Sequence, residues 1–157
     1  MLTLKSILFP TDFSDLSQHA FALACSLARD HSAKIIVLHV YPPPVNYGEI
    51  IARQQPESYE EVLWENLENI RSSDGSIEVE HHLVEGEAAK EIVRLATEMD
   101  CDMIVMGTHG RTGLGRLLMG STAEAVVRRA PCPVLTLKTP VHEEASVPVG
   151  GTAAAVK

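Results

Sequence analysis

The chain has 157 residues, is 45% hydrophobic and only 4% aromatic, and carries a formal net charge of -8 with a pI near 5.3. That length and apolar content suit one compact domain with a core of Leu, Ile, Val, Ala and Met. The acidic balance argues against a broad nucleic-acid surface, which needs a basic field, but leaves room for a small local phosphate site. No apolar run approaches the about 20 residues of a membrane span, and the first residues lack the apolar length of a signal peptide. The cysteines, Cys25, Cys101 and Cys132, are widely spaced and form no CxxC or Cys/His pattern. They read as reduced, mostly buried thiols of a cytoplasmic protein.

Leu4 to Phe9 reads as a short apolar strand stopped at Pro10, with Ser14 or Asp15 as the cap of the helix that follows. Leu16, Ala20, Leu23, Ala24 and Leu27 recur at helical steps. Lys34 to Val40 is apolar almost throughout, as in a strand covered on both faces. Tyr41 to Gln55 opens with Pro42, Pro43 and Pro44 and reads as irregular. Pro56 suits a helix first turn, and Tyr59, Val62, Leu63, Leu67 and Ile70 form the next helical stripe. After a turn at Ser72 to Gly75, Ile77 to Val84 alternates as a half-exposed strand near a sheet edge. A third helix carries Ala89, Ile92, Val93 and Ala96, and Asp102 to Met106 is a short buried strand. A fourth helix spans Ser121 to Ala130. Pro131 to Leu137 closes the series as a strand that Pro133 assigns to an edge. The tail from Thr139 to Lys157 shows no period and is expected to be disordered. Strictly alternating strands and helices predict an α/β fold with a parallel sheet and helices on both faces.

Between the fourth strand and the fourth helix lies a glycine-rich segment holding Gly107, Gly110, Gly113, Gly115 and Gly120. It leaves the C-terminal end of a buried strand, where open parallel sheets bind ligands. Glycines let the chain turn back and let a ligand approach. The N–H groups of Ser121 and Thr122 at the helix start suit an anion, their hydroxyls add donors, and Arg111 and Arg116 add charge. A P-loop is disfavoured because Ser121 stands where Lys is needed. A dinucleotide fingerprint fails because Leu118 replaces its third glycine. Such a loop can also be a plain connector, with Ser121 an ordinary cap. His81 and His82 point to opposite faces of their strand, so they read as structural rather than as a metal pair. Trp64 and Glu65 read as helix surface or interface.

Gly107, Gly110, Gly120 and Ser121 complete the pattern G-x2-G-x9-G-[ST]. With Ile7 to Ser14, Leu38 to Val40 and Ala130 to Val134, the chain resembles the ATP-binding members of the universal stress protein family over residues 1–138. The resemblance implies a doubly wound five-stranded parallel sheet of order 3-2-1-4-5, one nucleotide-binding domain over 1–138, and a tail over 139–157. It implies ATP as the ligand: Asp12 on the ribose hydroxyls, Pro10 and Thr11 shaping the nucleoside end, and Val40 against adenine. Gly107, Gly110, Gly120, Ser121 and Thr122 would hold the phosphates, with His109 and Arg111 as further contacts. A magnesium ion bridging the phosphates is a companion expectation, though the sequence offers it no evident protein ligand. Asp12 has the alternative role of a helix cap, and Val40 that of a core residue. A homodimer through Val134 to Leu137 is also implied. The favoured function is a stress-response module or switch. The alternatives are a slow ATP hydrolase or adenylate-using enzyme, with His109 as the sole candidate base, and a dimeric interaction protein that holds no nucleotide.

Overall fold

The computed structural model describes residues 3–43, 58–73, 75–109 and 119–138. The elements in chain order are β1 (Ser6–Pro10), α1 (Asp15–His31), β2 (Lys34–Tyr41), α2 (Ser58–Glu68), β3 (Val79–Glu85), α3 (Ala88–Glu98), β4 (Met103–Gly107), α4 (Ser121–Arg129) and β5 (Val134–Leu137). The sheet is five-stranded and parallel throughout, in the order β3-β2-β1-β4-β5. Fold class, strand order and alternation therefore match the expectation. The predicted tail and the stretch around Pro44 to Pro56 lie outside the described residues, as do Gly110, Arg111, Gly113, Gly115 and Arg116.

Strand alternation sends neighbouring side chains to opposite faces, and each face has its own core. Ile7, Phe9, Ile35, Val37 and Val105 pack with Ala20, Ala24 and Ala28 of α1 and Leu67 of α2. Leu8, Ile36, Leu38, Ile104 and Met106 pack with Ile92, Leu95 and Ala96 of α3 and Ala123 and Val126 of α4. The central strands β1 and β2 are covered on both faces, which is why they read as continuous apolar runs.

Several local readings shift. The buried stripe of α1 runs through Ser17, Ala20, Ala24, Cys25 and Ala28, while the leucines of the predicted stripe are only half-buried. Alanines at the contact let this helix lie close to the sheet, and that closeness matters at the site. The cap of α1 is Ser14, whose hydroxyl accepts the Ser17 N–H at 3.2 Å. At the other end Ser32 takes φ 56, a left-handed C-cap. Strand β3 starts at Val79 rather than Ile77, and it is a half-buried edge as expected. His81 Nε2 meets the Ile70 carbonyl at 2.8 Å, whereas His82 Nε2 meets Glu80 at 2.8 Å. The two imidazoles thus serve different structural contacts. Strand β5 starts at Val134; ahead of it the Pro133 carbonyl accepts the Ile104 N–H at 2.9 Å.

Strand β4 starts one residue later than expected, at Met103, and Asp102 just ahead of it ties the strand to β1. Its Oδ2 accepts the N–H groups of Lys5 at 2.8 Å and Ser6 at 2.9 Å, joining the starts of β1 and β4. The Lys5 N–H, followed by the Ser6 groups, holds this carboxyl below its ordinary pKa, against a smaller opposing effect of burial. Cys25 and Cys101 are buried and Cys132 partly so, all three as free thiols. Burial pushes the Cys101 thiol up to about 11 and raises Cys132 as well, so neither is poised as a nucleophile.

Candidate functional site

Strand β1 lies between β2 and β4, and the chain leaves β1 on one side of the sheet and β4 on the other. The connections diverge there, which opens a crevice at the C-terminal ends of the two strands. A cleft of about 230 Å³ occupies that place. Every predicted site residue among the described ones lines it: Pro10, Thr11, Asp12, Val40, Gly107, His109, Gly120, Ser121 and Thr122. Gly110 and Arg111 lie outside the described residues.

One wall is the turn from β1 into α1, and it is tightly specified. The Thr11 N–H donates to the Leu38 carbonyl at 2.8 Å, which extends the β1–β2 pairing past Pro10. The Thr11 hydroxyl meets the Ser17 hydroxyl at 2.7 Å and accepts the Phe13 N–H at 3.1 Å. Phe13 takes φ 63, unusual for an aromatic residue, and its ring packs on His39 with centroids 4.3 Å apart. The Thr11 carbonyl can only accept, so the 2.8 Å contact from His39 Nδ1 assigns the proton to that nitrogen. These bonds turn Asp12 so that Oδ1 accepts the Ser14 N–H at 3.0 Å, while Oδ2 is buried with no partner among the described residues. Ser14, not Asp12, caps the helix, and one oxygen of Asp12 braces the turn.

The opposite wall runs from β4 into α4, and Thr108 is its junction. This buried residue donates its N–H to the Leu137 carbonyl at 2.9 Å and accepts the Gly120 N–H at 2.7 Å. Its hydroxyl meets His109 Nδ1 at 2.9 Å, and among the described residues His109 Nε2 is buried without a partner. Gly120 is the N-cap of α4 and brings no side-chain acceptor to the N–H groups of the first turn. Those donors, with the positive end of the helix dipole, suit an anion. The first-turn acid, Glu124, is ion-paired to Arg128 at 2.6 Å.

Two glycines are required for reasons other than those the sequence suggested. Neither Gly107 nor Gly120 has positive φ. A Cβ on Gly107 would lie 3.1 Å from the Leu16 side chain, a consequence of the close seat of α1. A Cβ on Gly120 would lie 2.9 Å from the Thr108 carbonyl oxygen. Gly120 is thus set by packing against Thr108 as well as by space for a ligand, and a side chain there forces that contact to shift.

Leu38, Val40, Ile92 and Met106 form an apolar part of the lining. Sequence reasoning singled out Val40 alone. Leu38 and Met106 read as core strand residues, and nothing in the sequence shows that Ala88 and Ile92 of α3 reach the same crevice. Thr108 and Ser17 were also missed; a hydroxyl at a strand end or in a helix first turn is the weak signal they carry. Among the described residues no group of three or more His, Cys, Asp or Glu is placed to hold a metal ion. None of the described helices is long and apolar enough to cross a membrane.

Fold and cleft together define an open, doubly wound α/β domain with a ligand crevice at its switch point. The sequence profile of the universal stress protein family matches residues 3–138, and the chain belongs to that family. It is 36% identical over 146 residues to the universal stress protein MJ0531 of Methanocaldococcus jannaschii, covering 88% of this chain and 85% of that one. Among solved structures, the hypothetical protein MJ0577 superposes with a TM-score of 0.77 at 30% identity, over 88% of this chain and 98% of that chain. A universal stress protein in complex with cAMP gives 0.67 at 25% identity, over 88% and 99%. One from Archaeoglobus fulgidus in complex with dAMP gives 0.59 at 26% identity, over 88% and 100%.

Proposed function

We propose that this chain binds an adenine nucleotide, ATP foremost, in the cleft between Asp12 and the start of α4. It would serve as a nucleotide-dependent module or switch of the stress response in the cytoplasm. The observation that carries the reading is the polarity of the two walls. On one side a buried carboxylate oxygen, Asp12 Oδ2, lacks a donor; on the other, a helix N-terminus is open to an anion. A ligand with a hydroxyl donor and a phosphate answers both, and a nucleotide is the common molecule with that order of groups. The cAMP and dAMP complexes of two structural relatives support the same class of ligand. Each of those two nucleotides has a single free ring hydroxyl, the 2′ in cAMP and the 3′ in dAMP.

In this reading Asp12 takes the sugar, and Pro10 and Thr11 shape the turn around it. Val40, with Leu38, Ile92 and Met106, offers the base an apolar wall. Gly107, Gly110, Gly120, Ser121 and Thr122 receive the phosphates, with His109 Nε2 and Arg111 as further contacts. Magnesium, when present, would be held by phosphate oxygens and water, in keeping with the lack of a carboxylate cluster among the described residues. Residues 1–138 form the binding domain, with 139–157 as an appended tail. Turnover of ATP is expected to stay at background, since His109 is the one candidate base beside the phosphate-binding segment among the described residues.

The test is direct. The purified protein is denatured, the supernatant is chromatographed, and the refolded or stripped protein is titrated with ATP by calorimetry. Co-purified adenine nucleotide or saturable binding is expected. Absence of both would overturn the reading.

A further inference from the structure

We infer that one free sugar hydroxyl, the 2′ or the 3′, satisfies this site, so that deoxynucleotides are held about as well as ribonucleotides. The inference rests on the nucleotide reading above and concerns how Asp12 reads the sugar. Its two carboxylate oxygens are not equivalent. Oδ1 is committed to the Ser14 N–H at 3.0 Å, within the turn that the left-handed Phe13 completes. Oδ2 is the buried oxygen without a partner.

A single hydroxyl proton relieves that oxygen. The first hydrogen bond is worth most, because leaving a buried acceptor unmade costs its full desolvation. A second hydroxyl could reach only the remaining lone pair of the same oxygen, where a further bond adds less than the first. Among the described residues, the other side-chain acceptors of the turn are already engaged, the Ser14 hydroxyl by the Ser17 N–H at 3.2 Å. The Thr11 hydroxyl is engaged with Ser17 at 2.7 Å and with the Phe13 N–H at 3.1 Å. The neighbouring lining side chains of Pro10, Leu38 and Val40 are apolar. The second hydroxyl therefore exchanges water for little, and its loss costs little.

The experiment is calorimetric titration of the full chain with ATP, 2′-deoxy-ATP, 3′-deoxy-ATP and 2′,3′-dideoxy-ATP. Each singly deoxygenated nucleotide is expected to bind within about 3-fold of ATP, and the dideoxy form about 5- to 150-fold more weakly. In Asp12→Ala the four sugars should converge. Asp12→Asn serves as a second variant: it keeps an oxygen for the Ser14 N–H and replaces Oδ2 with an amide nitrogen. That nitrogen donates where Oδ2 accepted, so a hydroxyl is met only through its own oxygen, and the dideoxy penalty should shrink there and vanish in Asp12→Ala. The inference is overturned if either singly deoxygenated nucleotide loses as much as the dideoxy form, if the dideoxy form binds like ATP, or if the penalty survives both Asp12 variants. Failure of ATP itself to bind would remove the nucleotide reading, a result distinct from ATP binding with the wrong sugar pattern.

Discussion

Replacing Ser121 with Asp places a negative charge on the first residue of α4, at the mouth of the cleft. The fold and the ligand should respond with opposite signs. An acid in the first turn complements the helix dipole and adds about 0.3–1 kcal/mol at an exposed position. Ser121 is exposed, and the existing first-turn acid, Glu124, is already paired with Arg128 at 2.6 Å, so the new charge meets an uncompensated helix end. The melting temperature should therefore rise by about 1–4 °C. A phosphate brought to the same N–H groups would meet a like charge. Two unit charges about 4 Å apart repel by about 1 kcal/mol in water and about 4 kcal/mol near a protein surface. Exposure and salt favour the lower part of that range, about 1–2 kcal/mol, which weakens ATP about 5- to 30-fold. Calorimetric titration beside a thermal melt reads both effects, and uncharged adenosine is the control whose affinity should not change. ATP binding like that of the parent would refute the phosphate placement. A loss of affinity together with a loss of stability would refute the sign argument.

Gly120→Ala should act differently. Gly120 has φ -63 and ψ 150, which alanine adopts freely, so the penalty is purely the 2.9 Å approach of the new Cβ to the Thr108 oxygen. Overpacking against backbone costs about 1–3 kcal/mol, seen as a melting temperature about 2–10 °C lower; a parental melt would show that the loop yields without strain. Asp102→Asn should cost about 1 kcal/mol at pH 7 through its bonds to Lys5 and Ser6. The Asp102 pKa lies below 3.8 in the folded state, so its stabilisation is present above that pH and is lost as pH falls through the folded value. Urea titrations of parent and variant should converge as acidification carries the pH through the depressed folded value, and a gap unchanged by acidification would contradict the linkage. Strand β5 is a sheet edge with Leu135 36% exposed, beside Val127 at 48%, so the homodimer is proposed to form there. Leu135→Lys should shift light scattering from dimer to monomer, and a monomeric parent would refute the interface.

Much of the fold is legible in the sequence, and for an identifiable reason. Doubly covered strands such as Ile35 to Leu38 must be continuously apolar, and turns announce themselves through Pro10, Ser14 and Gly75. The boundaries that shifted did so where a side chain took on tertiary work. Asp102, just ahead of β4, holds the amides of Lys5 and Ser6. Ile77, although buried, lies ahead of β3. On α1 the alanines of the expected stripe, Ala20 and Ala24, are buried together with Ser17, Cys25 and Ala28, while its leucines are half-buried.

The site divides in the same way. By itself the sequence determined which groups could meet a ligand: a spaced glycine motif, hydroxyls at a helix start, and an acid after the first strand. Those signals are local, since cap and turn chemistry depend on residues a few positions apart. Tertiary structure alone decided how the groups are spent. It committed one oxygen of Asp12 to Ser14 and left the other bare. It buried His109 Nε2, packed Gly120 against Thr108, and brought Ile92 from α3 into the same crevice. Hydrogen-bond satisfaction and close approach depend on atoms far apart in the chain, and only the folded sheet brings those atoms together.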